Sequence, residues 1–323
     1  MVGVRSLVPS SLDAILSART RLQGIARRTP LLALPTVPGA VSVLAKLENL
    51  QPIGSFKLRG AANAMAIAGP EALANGVWTA SAGNMAQGVA WCARKLGVRC
   101  CVIVPDTAPE AKIAAIGRLG GEGIKVSFDR WWQAMTDRAY PGIDGLFIHP
   151  FADAAVMAGN GTIGLELMED QPEIDAVLVP WGGGGLACGI ASAIRHVSPK
   201  TRVYAVEVEG AAPLTASFAA GEPATITPVR SFVDGIGGRG VAAEMWPLAQ
   251  ELITGVLRVT VAQVAAAVKL LAEQVRVVAE GAGAAPVAAA MLGVPGATCV
   301  ACVVSGGNID ATTLATILRG DIP

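Results

Sequence analysis

The sequence predicts an α/β fold in one large or two intimately connected domains, on three observations. Short apolar runs rich in valine and isoleucine alternate with stretches of helical periodicity. Glycine or proline punctuates the boundaries, as in folds where strands and helices alternate. At 323 residues, the chain exceeds the usual single core of about 100 to 200 residues and leaves room for a deep cleft.

Each element follows from local pattern. Residues 98–104 read as a buried strand ended by Pro105, and 111–119 as a helix stopped by Gly120 and Gly121, because continuous apolar runs suit a strand covered on both faces and glycine ends helices. Similar strands are expected at 176–179, 203–208 and 299–304. Leu186, Ile190 and Ile194 fall four apart, marking one face of a helix over 185–197 that opens on a run of glycines. Further helices are expected from residue 61 and over 89–96, 261–278 and 286–292. No repeat, low-complexity tail or long linker is visible.

Composition narrows the function classes. The chain is 52% hydrophobic yet has no apolar run near the roughly 18 residues that span a bilayer, so the excess belongs in a core. Lys plus Arg and Asp plus Glu balance at 25 each with no basic stripe, which leaves no footprint for nucleic acid and points to a small-molecule partner. Residues 1–16 lack the pattern of a signal peptide, so cytoplasmic residence is expected. The six cysteines lie in apolar contexts and read as free buried thiols. Cys299 and Cys302 form a C-x-x-C on an expected strand, where residues three apart face opposite sides. Two distant histidines, His149 and His196, make no metal centre of fixed spacing.

Four segments carry chemistry. Gly54-Ser55-Phe56-Lys57-Leu58-Arg59-Gly60 sets a lysine in an apolar, glycine-bearing stretch. Burial there disfavours the ammonium and frees the amine as a nucleophile toward an aldehyde; on this segment alone, a solvent-facing lysine at a helix start is the plainer reading. Trp181-Gly182-Gly183-Gly184-Gly185 lies between a strand and a helix N-terminus. Bare backbone N–H groups and the helix dipole can enclose a phosphate there, and a mere tight turn rarely needs four glycines. Ser81-Ala82-Gly83-Asn84-Met85 opens another helix and suits an amino-acid carboxylate, although an ordinary cap is an alternative. Ser305-Gly306-Gly307-Asn308 places a hydroxyl at the carboxyl end of a strand, where ligands gather in open sheets.

In order and wording these segments resemble the serine/threonine dehydratase group of pyridoxal-phosphate enzymes, the fold-type II family that includes serine racemase. The resemblance runs from Arg28-Thr29-Pro30-Leu31 and Lys46-Leu47-Glu48 through His149-Pro150, Gly161-Thr162-Ile163 and Asp234-Gly235-Ile236 to Ser305-Gly306-Gly307-Asn308. It implies two open twisted α/β domains, residues 1–49 with 149–323 and an inserted 50–148, with pyridoxal 5'-phosphate in the cleft between them, and a homodimer. It implies that Lys57 forms the Schiff base and acts as the base, that Phe56 packs beside the ring, and that Asn84 bonds the 3-hydroxyl oxygen. Gly182, Gly183, Gly184 and Gly185 would hold the phosphate, while Ser305 faces the ring nitrogen. Ser81, Ala82, Gly83, Asn84, Met85 and Gly235 would receive the substrate. The implied reaction removes water from serine or threonine to give a 2-oxo acid and ammonia; Glu280, in Glu-Gly-Ala-Gly, lies near the site without an assigned part.

The chain departs from the family in places. Met85 stands where most members carry histidine, and Ala82 where racemases carry a proton-exchanging serine, which favours dehydration over racemisation. The implied cation site uses Glu207 and the Ala211 carbonyl, but Pro213 replaces its further carboxylate, leaving room for a monovalent or weakly bound divalent cation. Trp131-Trp132, in a chain with 4% aromatics, reads as surface or interface packing, with a pocket for a bulky substrate such as phenylserine as the sharper alternative. β-Replacement is a rival within enzymes; a pyridoxal-phosphate or amino-acid binding protein is the rival outside them.

Overall fold

The computed structural model describes residues 7–34 and 41–323; the first six residues of the 1–16 stretch considered for a signal peptide lie outside the described part. The strands there are β1 (Leu31–Ala33), β2 (Ser42–Lys46), β3 (Val77–Ala80), β4 (Cys100–Pro105), β5 (Glu122–Val126), β6 (Leu146–Phe147), β7 (Ala176–Pro180), β8 (Arg202–Val208), β9 (Gly255–Val259) and β10 (Cys299–Val303). They make two sheets. The larger has the order β1-β2-β10-β7-β8-β9, antiparallel only between β1 and β2. The smaller, β5-β4-β3-β6, is parallel throughout and takes its strands from within residues 77–147.

Parallel strands need crossover helices and coverage on both faces, and the packing shows both. All five residues of β7 are buried. Ala176 and Leu178 join an apolar layer with Val264 and Val287, while Val177 and Val179 join the opposite layer with Ile163 and Ile190. Cys302 lies in the first layer and Cys299 in the second, as a C-x-x-C on a strand requires. All six cysteines are free, and burial pushes the Cys92 thiol up to about 12. Among the described residues no helix is long and apolar enough to cross a membrane.

Helix boundaries differ from expectation in an instructive way. The helix expected from residue 61 is Lys57–Leu73, and that expected over 89–96 is Asn84–Leu96. Both gain their opening turn, whose N–H groups lack intrahelical partners and so leave no periodic signature. The 261–278 stretch is helical over Val261–Leu270, widens over Leu271–Val275 and stops at Arg276 with φ 63°. The helix expected over 286–292 is Gly281–Met291 with Pro286 inside it; its first five residues are only glycine and alanine, too small to show a face. On Phe128–Asp137, Trp131 packs in the layer of Trp78 and Ile103, and Trp132 is 45% exposed.

The carboxyl ends of β3, β7 and β10 lead directly into segments 81–84, 182–185 and 305–308. The larger sheet sets 182–185 and 305–308 at one edge, 81–84 reaches them from the smaller sheet through the Asn308–Asn84 hydrogen bond, and the fourth segment is joined to 305–308 by the Ser55–Gly306 bridge.

Candidate active site

Lys57 is the first residue of its helix. The backbone just before it is fixed twice: the Phe56 N–H donates to the Ser305 carbonyl at 3.0 Å, and Gly307 N–H donates to the Gly54 carbonyl at 2.9 Å. The Lys57 ammonium lies 5.1 Å from the Phe56 ring centroid and donates to the Pro150 carbonyl oxygen. Burial pulls its pKa down from 10.5 to about 8, partly offset by the Glu280 carboxylate.

Glu280 shows the complementary shift. Burial, reinforced by Asp234, raises its pKa to about 7 against the Asn84 hydrogen bond and the Lys112 and Lys57 charges. Asn84 Nδ2 donates to Glu280 Oε1 at 2.7 Å, and Asn84 Oδ1 accepts from Asn308 Nδ2 at 2.8 Å. Asn84, Glu280 and Asn308 thus form one polar floor, whose carboxylate acts on Lys57 through its charge. Two titratable groups pushed toward neutrality from opposite sides mark a place where protons are handled.

The glycine loop is shaped by close approach. A methyl on Gly183 would sit 2.2 Å from the Phe151 ring, and one on Gly185 would sit 2.5 Å from the Phe151 carbonyl oxygen. Gly184 has φ +88° and is the cap of the helix Gly185–Val197. A methyl on Gly182 would meet the Gly235 carbonyl oxygen at 3.0 Å, which joins Gly235 to this wall. The loop leaves bare N–H groups at a helix start, a fit for an anion. The Ser55 hydroxyl, 0% exposed, finds no hydrogen-bond partner among the described residues. A desolvated amine, an anion cradle and an unanswered buried hydroxyl fit a phosphate-bearing aldehyde such as pyridoxal phosphate.

Placement of the remaining candidates is mixed. Ser81, Ala82 and Gly83 are half-buried in the turn after β3, with the Ser81 hydroxyl accepting from the Gly83 N–H at 3.2 Å. Ser305 is 2% exposed beside Lys57. Met85 is 1% exposed and packs in the core layer with Ile53 and Leu58, under the turn. Glu207 is buried at the start of Pro213–Ala220, where its oxygens accept from the Leu214 and Thr215 N–H groups at 2.7 and 2.9 Å and from the Thr215 hydroxyl at 2.8 Å. Ala211 donates its N–H to Val208. No group of three or more His, Cys, Asp or Glu able to hold a metal occurs among the described residues. The Glu207 carboxylate serves the helix end through its bonds to Leu214 and Thr215, and the Ala211 carbonyl is not among its partners.

Sequence reasoning missed Phe151 and the part of His149. His149 Nδ1 accepts from the Phe151 and Ala152 N–H groups at 3.2 and 2.8 Å, and burial, with Arg138 and Lys57 nearby, lowers its pKa to about 3. The imidazole is neutral and sets the turn that presents the Pro150 carbonyl to Lys57 and the Phe151 ring to Gly183. The His149-Pro150 pair was the available signal; its meaning needed the fold.

Known proteins place the chain. Residues 22–306 match the family model described as pyridoxal-phosphate dependent enzyme. The chain is 40% identical over 285 residues to an L-threonine ammonia-lyase of Geobacter sulfurreducens, covering 86% of this chain and 70% of that protein. It is 38% identical over 316 residues to an L-threonine ammonia-lyase of Thermotoga maritima, covering 96% and 78%. Maize serine racemase superposes with a TM-score of 0.89 at 30% identity, covering 97% of this chain and 98% of that one. The chain belongs to the pyridoxal-phosphate-dependent enzymes, in the fold-type II serine/threonine dehydratase family.

Proposed function

We propose that this lyase removes water from L-threonine or L-serine and releases a 2-oxo acid and ammonia, with Lys57 as both coenzyme anchor and base. The observation that carries the reading is the Lys57 amine held between the Phe56 ring and the Pro150 carbonyl, beside a cradle of bare glycine backbone. The relatives in Geobacter sulfurreducens and Thermotoga maritima, named for L-threonine, support the substrate class.

When bound, pyridoxal phosphate supplies the electron sink that makes an amino acid's α-proton removable. Gly182, Gly183, Gly184 and Gly185 would hold its phosphate through N–H groups, Phe56 would flank its ring, Asn84 would donate to its 3-hydroxyl oxygen and Ser305 would face its nitrogen. Lys57 takes the α-proton as a free amine, which its lowered pKa keeps available at mildly alkaline pH. Glu280, half protonated near neutrality, can hold and give a proton at the same floor. Ser81, Ala82, Gly83 and Gly235 would seat the substrate carboxylate, with Met85 supporting their turn from the core. Asp234, next to Gly235, is paired with Lys112. The proposal includes a two-domain division at residues 50 and 148, a homodimer and cytoplasmic residence, all drawn from the family likeness.

The deciding experiment is a 2-oxo acid and ammonia assay across L- and D-serine, L- and D-threonine, phenylserine and 3-hydroxyaspartate. L-Threonine and L-serine should give the highest kcat/KM; turnover of none of them, or sulfide-dependent replacement instead, would contradict the reading.

The amine also sets a pH dependence for coenzyme capture. Only neutral Lys57 attacks an aldehyde, and lowering the pKa from 10.5 to about 8 raises its neutral fraction at pH 7 by about 300-fold. Capture of pyridoxal phosphate by apoprotein should therefore speed up as pH rises and level off just above 8. Stopped-flow absorbance gives the profile, and a rate still climbing tenfold per pH unit at 9.5 would show an ordinary lysine.

A further inference from the structure

Behind the site lies a buried ionic hub that the reaction does not touch. Arg59, two residues beyond Lys57 on the same helix, is 2% exposed. Its Nε donates to Glu48 Oε2 at 2.9 Å and its Nη2 to Glu48 Oε1 at 2.8 Å. Nη1 and Nη2 donate to Glu166 Oε1 and Oε2 at 2.6 and 2.9 Å, and further bonds reach the Thr162 hydroxyl and the Arg27 carbonyl, each at 3.0 Å. Lys46, 0% exposed, bonds Glu166 Oε2 and the Thr29 carbonyl, both at 2.7 Å. Two buried cations and two buried carboxylates therefore balance, with Asp170 Oδ2 a further 3.7 Å from Lys46 Nζ.

Stability alone is a poor reason for such a cluster. A buried ion pair is often matched or bettered by well-packed apolar residues of the same volume. What a guanidinium gripped by two bidentate carboxylates adds is orientation, because each fork fixes an angle as well as a distance.

The elements so gripped are those that carry the coenzyme groups. Arg59 fixes the helix that starts at Lys57. Lys46 and Glu48 fix the end of β2, which pairs with β10; Val304 N–H donates to the Lys46 carbonyl at 2.9 Å and Asn49 N–H to the Val304 carbonyl at 3.0 Å, one residue before Ser305. Glu166 fixes the helix Ala154–Asp170, from which Asn160 Nδ2 donates to the Gly185 carbonyl at 3.2 Å. That helix is also wedged on the first: a methyl on Gly159 would lie 2.5 Å from the Arg59 carbonyl oxygen.

We propose that Arg59 and its hub set the mutual spacing of Lys57, Ser305 and the 182–185 loop, making Arg59 a positioning residue for the coenzyme. The proposal rests on the reading that those three groups hold it. Arg59→Lys keeps the charge and loses the forks. A displacement of about half an ångström at the site corresponds to roughly a tenfold loss.

The test measures apoprotein melting, coenzyme dissociation constant, the visible spectrum of bound coenzyme, and kcat and KM separately. Arg59→Lys should fold, bind pyridoxal phosphate about tenfold more weakly with an altered visible band, and lose about tenfold in kcat with KM little changed. Thr162→Val, which removes a hydroxyl that accepts from Arg59 and donates to the Gly159 carbonyl but removes no charge, should move the same quantities in the same direction by a smaller factor, about threefold. If Arg59→Lys does not fold, Thr162→Val decides. A folded variant with a lowered melting temperature but wild-type dissociation constant, spectrum and kcat overturns the proposal, since a purely structural hub predicts that outcome. Failure of the underlying reading shows in the wild type itself, as borohydride reduction of the loaded enzyme that leaves no adduct on Lys57.

Discussion

Replacing Lys57 by alanine should lower kcat by about 10⁴-fold and abolish the visible band of bound coenzyme, because one side chain is both the covalent anchor and the base. The helix itself should survive: alanine favours it, and the backbone contacts of Phe56 with Ser305 and of Gly54 with Gly307 do not involve the side chain. Removing a buried amine of depressed pKa should leave melting unchanged or raise it. Lys57→Arg is the sharper control, since a guanidinium keeps the charge and cannot act as the nucleophile. Both variants are followed by steady-state release of 2-oxo acid and by absorbance; residual kcat above about 1% in either would assign the chemistry to another group.

The second large effect separates two glycines. In Gly185→Ala the new methyl would meet the Phe151 carbonyl oxygen at 2.5 Å and its Cα at 2.9 Å, so backbone must move at the start of the helix. Overpacking of about 3 kcal/mol there corresponds to roughly a 10²-fold weaker coenzyme. In Gly183→Ala the three nearest atoms to the methyl all belong to the Phe151 ring, at 2.2 to 2.6 Å. A ring can swing or be cut back, so the loss should be smaller, about tenfold, and Phe151→Ala should relieve it. A double-mutant cycle by fluorescence titration measures that coupling. Relief of Gly185→Ala by the same second change, or none of Gly183→Ala, would contradict the packing.

Much of this was legible because the signals are local. Parallel strands covered on both faces read as unbroken apolar runs, so β4, β7, β8 and β10 could be placed to within a few residues. Lys57, the glycine loop, Asn84 and Ser305 all lie at ends of elements, where composition changes abruptly. What stayed hidden depends on distant partners. Met85 was expected at the substrate, yet helix phase turns it into the core layer of Ile53 and Leu58. The turn at Ala211 brings the Leu214 and Thr215 N–H groups onto Glu207, contacts across a turn that no local pattern announces. Phe151 carries no signal of its own; only the fold shows that its ring and carbonyl forbid side chains at Gly183 and Gly185. The Arg59 hub joins residues from four separate segments, and no window of sequence contains it.

The most direct measurement locates the coenzyme's attachment. Borohydride reduction of the loaded enzyme, followed by peptide mapping, should place the whole adduct on Lys57. An adduct on any other lysine, or none on an active enzyme, would contradict the central claim that burial makes this one amine the reactive group.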